Sequence, residues 1–176
     1  MNIDATLVRI PQMSEAQRKQ LRANAQEKIA SGDAKWAVAA PKVLEALDAQ
    51  ALHEGQEHVA TAQALPKAER VAYAFTQMPP SETQERLIRV LLDNPGSTNA
   101  ELSRHLGWKD NGWDLHFGSM AKDRMPLLWT AEPSKERDDY FYCGILTTFD
   151  RQLRTYVMRP EVVEGLASIG LKRRRP

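Results

Sequence analysis

The chain has 176 residues, enough for one large domain or two small ones, and 42% of them are hydrophobic, which suits a packed core and argues against a disordered chain. A formal net charge of +1 excludes a uniformly basic, histone-like coat, so any attraction to nucleic acid has to come from local patches. Cys143 is the single cysteine, which excludes an intramolecular disulfide and a multi-cysteine metal site and fits a reducing cytoplasm. The first dozen residues lack the basic and apolar regions of a secretory signal, and no run approaches about 18 apolar residues, so no membrane partner is expected.

Residues 3–10 (IDATLVRI) carry β character in a short segment that fits a strand or an extended arm equally. Ser14 and Glu15 open a charged helical stretch to about Ala30, with Leu21, Ala25 and Ile29 as a thin inward stripe, Gly32 as its stop and Asp33 as a cap for the next segment. Pro41 suits the first turn of a second helix, carrying Val43, Leu44, Leu47, Ala51 and Leu52 and ending at Gly55 or near Gln63. Pro66 restarts a helix with Val71, Ala74, Phe75 and Met78, and Pro79-Pro80 ends it. Residues 1–80 therefore read as an N-terminal helical region whose Ala/Leu stripes bury little area. Such helices call for a partner, and self-association through residues 14–78 to a homodimer is the expectation.

The remainder, 81–176, has a different pattern. Ser81 starts a helix with Glu82 and Glu85 in its first turns, and Leu87, Ile88, Leu91 and Leu92 form its apolar face. Asn94-Pro95-Gly96 stops it. Ser97 or Thr98 caps a short helix with Ala100, Leu102 and Leu106, closed by Gly107. A third helix comes next, with Trp113, Phe117 and Met120 at i, i+4 and i+7, a stripe expected in the core. Pro126–Glu132 and Tyr140–Thr147 then read as two strands around the polar turn 133–139, with Leu153–Met158 as a third. Pro160 begins a last helix, closed by Gly170, and Lys172-Arg173-Arg174-Arg175 is a basic cluster that reads as a solvated end or a phosphate-grasping tail. The fold class expected is mainly α with a small antiparallel β-sheet.

Three helices followed by a hairpin, with Ser97-Thr98-Asn99-Ala100-Glu101-Leu102-Ser103-Arg104-His105-Leu106-Gly107 as the second helix, resembles the winged helix-turn-helix superfamily over residues 81–158. The resemblance implies that Asn111–Asp123 is a recognition helix for the major groove and Ser134–Asp139 a wing tip. It implies double-stranded DNA as partner, with Lys109, Lys122, Arg124, Lys135 and Arg137 toward phosphates and Asn111, His116 and Ser119 toward base edges. The implied role is transcription regulation, as a dimer. Asp110, Asp114 and Asp123 on or beside the same helix repel phosphates, which keeps a second reading open: a protein-interaction module of the same fold, an accessory or inhibitory protein docking on a larger complex.

Other chemistry is weakly signalled. His53 and His58 are five residues apart, about 140° around a helix, where a zinc pair needs four. Cys143 lies in Tyr140-Phe141-Tyr142-Cys143-Gly144-Ile145-Leu146 and reads as a small core hydrophobe rather than a nucleophile. No phosphate-binding glycine loop occurs. No enzyme, cofactor or metal is expected. Nine of the aromatic residues fall in the second half; without interleaved basic residues they read as core, with Tyr140 and Tyr142 sharing an outward face.

Overall fold

The structure, a computed structural model, describes residues 3–135 and 138–174. It is mainly α-helical with a small three-stranded antiparallel sheet, as expected. The chain divides into two compact units, Met1–His58 and Val59–Pro176. Among the described residues no helix is long and apolar enough to cross a membrane.

In the first unit, Ile3–Arg9 is a helix, α1, and not a strand or arm. Its Ile3 and Leu7, with Ile10 beyond them, recur at helical spacing and pack on one side, while Val8 points to solvent. Ser14 caps helix α2 (Glu15–Ala30) in a reciprocal capping box with Gln17. Its inward face runs through Leu21, Ala25 and Lys28, so Ile29 is turned out and 48% exposed, against the stripe expected of it. Gly32, at φ +66°, makes the turn, and helix α3 (Ala39–Ala64) runs through Gly55 without a break. Within this unit α2 and α3 run antiparallel, tied by Arg18–Glu54 at 2.9 Å and Arg22–Asp48 at 2.6 Å. The buried core is small: Ile10, Ala25, Ala40, Val43 and Leu47.

The division between units falls inside α3, not at Pro80 as the sequence suggests. The reason is that helix α4 (Lys67–Gln77) buries Val71, Ala74 and Phe75 in the second core. Helix α5 (Glu82–Asp93) comes after it, capped by Ser81 and Gln84, and buries Leu87, Ile88, Val90, Leu91 and Leu92. Then come strand β1 (Ser97–Thr98), helix α6 (Asn99–His105) and helix α7 (Trp113–Arg124). Trp113, Phe117 and Met120 are buried, as the stripe indicates.

The β region departs most from expectation. Pro126–Glu132 forms no strand: Met125–Leu127 is a 3-10 turn, and the chain beyond meets Tyr140 only through an isolated bridge at Pro133. Residues Tyr142–Ile145 form a second 3-10 turn. A strand would alternate its burial, whereas Ile145, Leu146 and Thr147 are consecutively buried, and Gly144 lies against the Phe141 ring, where a Cβ would stand 2.7 Å from Cδ1. The true hairpin is β2 (Thr147–Asp150) with β3 (Thr155–Met158), in register from Thr147–Met158 to Asp150–Thr155. β1 pairs on the other side of β3, so the strand order is β1-β3-β2. The hairpin turn is therefore at 151–154 and not at 134–139.

Helix α8 (Pro160–Ser168) returns to α4 and buries Val162 and Leu166. The two helices meet at Gly165, where a Cβ would overlap the Ala68 carbonyl oxygen and come within 2.7 Å of Val71 Cβ. Backbone cannot yield as a flexible side chain does. Gly165→Ala should therefore destabilise the protein by about 1–3 kcal/mol, read from the denaturant midpoint; an unchanged midpoint would show that the helices are not in this close contact.

Candidate nucleic-acid interface

Helix α6 starts at a complete capping box. Thr98 Oγ1 accepts from the Glu101 amide at 3.3 Å, and Glu101 Oε2 accepts from the Thr98 amide at 2.8 Å and its hydroxyl at 2.9 Å. These hydrogen bonds, the backbone one first, hold the Glu101 carboxyl below the ordinary carboxylate range. Gly107, at φ +76°, turns the chain out of α6 in a conformation that a side chain would strain.

A side-chain pair ties the start of α6 to the start of α7. Asn99 Nδ2 donates to Asp114 Oδ1 at 2.9 Å and to the Asn111 carbonyl at 2.8 Å, while Asn99 Oδ1 accepts from the Asp114 amide at 3.1 Å. Asp114 Oδ1 also accepts from the Leu115 amide at 2.8 Å. Asp114 thus serves as a joint in the turn, at the start of α7 where a carboxylate complements the helix dipole.

Beyond that joint α7 turns Leu115, His116, Ser119, Lys122 and Asp123 to solvent. His116 sits edge-on to Trp108 at 5.1 Å. Lys109 and Asn111 are exposed in the turn before the helix. Between Leu115 and Lys122, α7 packs on the 142–145 turn through Gly118, whose added Cβ would stand 3.4 Å from Cys143 Sγ. Cys143 is buried, as a small core residue is expected to be, and its thiol donates to the Asp114 carbonyl at 3.1 Å.

Between the exposed side of α7 and the β2–β3 hairpin lies a groove of about 830 Å³. Lys122, Lys135, Arg151, Arg154 and Arg159 line it against Asp114, Glu132 and Asp139, five cations to three carboxylates, an excess of +2 among the described residues. Arg151 and Arg154 stand on the hairpin turn. Asp150 Oδ1 shapes that turn by accepting from the amides of Gln152 at 2.8 Å and Leu153 at 3.0 Å. Arg154 takes φ +55°, the one non-glycine with positive φ among the described residues. Arg159 is half-buried and acts as a latch, its Nε donating to the carbonyls of Gly144 at 3.0 Å and Thr147 at 3.3 Å.

Of the residues singled out by sequence, Ser119, Lys122 and Lys135 come together on this groove. Lys109, Asn111 and His116 stay on the surface outside it, toward the start of α7. Arg137 lies outside the described residues. Arg124 is a correction: it is 2% exposed and faces the core, not a phosphate. Its guanidinium donates to Met78 O at 2.6 and 3.2 Å, to Met120 O at 3.1 Å and to Gln84 Oε1 at 3.1 Å, over the Phe75 ring at 4.6 Å. Burial pulls its pKa below the ordinary arginine value, and Asp123 opposes that pull. Arg151 and Arg154 are the residues that sequence reasoning missed. Their signal was present: Thr147–Asp150 and Thr155–Met158 are two β-rich runs around Arg151-Gln152-Leu153-Arg154. In the tail, Lys172, Arg173 and Arg174 are exposed, and the Arg174 amide donates to Asp93 Oδ1 at 2.9 Å.

Comparison with protein-family models, with curated proteins and with solved structures finds no match to this chain.

These contacts have two measurable outcomes. Arg124→Ala takes both guanidinium donors from the Met78 carbonyl and should cost about 3 kcal/mol of stability, measured by chemical unfolding; a variant of unchanged stability would place this guanidinium at the surface. Glu101 has a lowered folded-state pKa, so its contribution is complete above the ordinary value of 4.5 and is lost as pH falls through the lower folded value. Glu101→Gln removes that titration. The stability difference between wild type and this variant should shrink in acid, and a difference constant with pH would contradict the link.

Proposed function

We propose that the second unit is a winged helix-turn-helix module and that the protein is a cytoplasmic DNA-binding regulator. Two features support the assignment of type: the element order helix α5, strand β1, helices α6 and α7, then the β2–β3 hairpin, and the strand order β1-β3-β2. The observation that carries the DNA reading is the cationic groove, in which Lys122 of α7 and Arg151 and Arg154 of the hairpin turn flank one concave surface. In such a module α7 enters the major groove and the hairpin meets the backbone or minor groove. Asn111, His116 and Ser119 are then the side chains toward base edges, and Lys109, Lys122, Lys135, Arg151 and Arg154 those toward phosphates. The tie of Asp114 to Asn99 supports this reading by engaging one of the aspartates in the turn.

A specific observation supports a second reading. Leu115 (69% exposed), Leu153 (68%) and Tyr140 (51%) add apolar surface to α7, the hairpin turn and the groove wall, as a protein-docking face does.

Fluorescence anisotropy with a random duplex tests the DNA reading. Affinity should fall steeply with salt, and Arg151→Ala and Arg154→Ala should each lower the slope of log K against log salt by about 1 while weakening all sequences alike. No duplex binding at about 50 mM salt overturns the reading of this face as a duplex-binding one.

A further inference from the structure

Duplex recognition leaves one part of the groove without a role. Tyr140 is 51% exposed, and its ring lies 6.2 Å from that of Tyr142, tilted by 44°. Lys122 Nζ stands 4.8 Å from the Tyr142 ring centroid, and the Tyr142 hydroxyl donates to Asp139 Oδ1 at 3.4 Å. The remaining groove aromatics behave differently. Phe141, Phe149 and Tyr156 are packed on one another with ring centroids 4.7 to 6.5 Å apart, and they make the floor. In the linear sequence the tyrosines have no basic residues among them. The fold supplies these from elsewhere, bringing Lys122 from α7 and Arg151 and Arg154 from the hairpin turn to the same cavity.

Interleaved aromatic rings and cations are what unpaired nucleic acid requires: a π-face for each base and a positive charge for each phosphate. The cavity volume of about 830 Å³ falls within the range of small-ligand clefts and leaves room for a splayed-out nucleotide. Lys122 resting on a tyrosine ring is poised for it, since a phosphate is a stronger partner for an ammonium than a π-face. We infer that the groove takes an unpaired nucleotide, its base against Tyr140 and Tyr142 and its phosphates on Lys122, Arg151 and Arg154. The inference rests on the reading of this face as DNA-binding and narrows the partner to DNA that carries unpaired bases.

Three fluorescent probes test it on the full chain: a plain duplex of about 20 base pairs, the same duplex with a two-nucleotide bulge, and a thymidine oligomer of about ten nucleotides. Wild type should bind the bulged duplex about tenfold more tightly than the plain one, the worth of one stacked base. Tyr140→Ala should lose most of that gain with plain-duplex affinity unchanged, and Tyr140→Trp should keep it. Equal wild-type affinity for the two duplexes overturns the inference and leaves the duplex reading intact, and so does a gain that survives in both Tyr140→Ala and Tyr142→Ala. Binding of the thymidine oligomer without binding of plain duplex sustains the inference and overturns the duplex reading. No binding to any probe removes both.

Discussion

The second unit is organised around the indole of Trp113. The ring is fully buried, and its N–H donates to the Leu87 carbonyl of α5 at 3.2 Å. Its own amide donates to the buried Ser103 hydroxyl of α6 at 3.1 Å. One face stacks on Phe117 at 4.5 Å, and Tyr156 of β3 meets it edge-on at 5.0 Å. One residue therefore fixes α7 against two helices and the central strand at once. A large aromatic ring contributes area, and its single donor fixes orientation because leaving that donor unpaired in the core is costly. The positions of the α7 surface and of the hairpin turn both depend on this anchor, since β3 carries one arm of the hairpin.

Charge on the surrounding elements is divided between holding the fold and facing outward. Arg124 joins α4, α5 and α7 by donating to Met78, Gln84 and Met120, and Arg159 fastens the start of α8 to the 142–147 segment. Asp114 joins α6 to α7 through Asn99. Along α7 the two structural charges, Asp114 and Arg124, cancel, so the helix itself stays balanced, with Lys122 against Asp123. With the structural charges set aside, the concave side between α7 and the hairpin keeps a cationic excess.

The helical part of this architecture is legible in the sequence because its signals are local. Ser81 with Gln84 and Thr98 with Glu101 mark helix starts, Gly107 and Gly170 mark stops, and the Trp113–Phe117–Met120 stripe names the buried face of α7. The β region is not legible because tertiary packing overrides propensity there. Tyr140–Thr147 is rich in strand-forming residues, yet α7 approaches closely over Gly118 and the chain answers with a 3-10 turn that buries Cys143, Ile145 and Leu146 together. Reading that run as a strand moves the expected hairpin turn to 134–139 and hides Arg151 and Arg154. Arg124 is misread for a related reason: one turn past Met120 it shares the buried side of α7, and only the carbonyls of Met78 and Met120 reveal why a cation is tolerated there. At the other end, Ile3, Leu7 and Ile10 carry a helical period inside a run whose composition favours strand.

The seat of α8 on α4 bears on the order in which the second unit is completed. α4 is the first whole helix of that unit, and α8 is its last. Their contact at Gly165 joins the two ends of the unit's sequence, the costliest kind of loop to close. On a ribosome the α4 surface around Ala68 and Val71 stays uncovered until α8 has emerged, although α5, α6 and α7 already have local partners. A nascent chain halted before Pro160 thus presents an apolar helix face that the folded unit hides, and the emergence of α8 is the step that removes this unit's hazard of sticking to its neighbours.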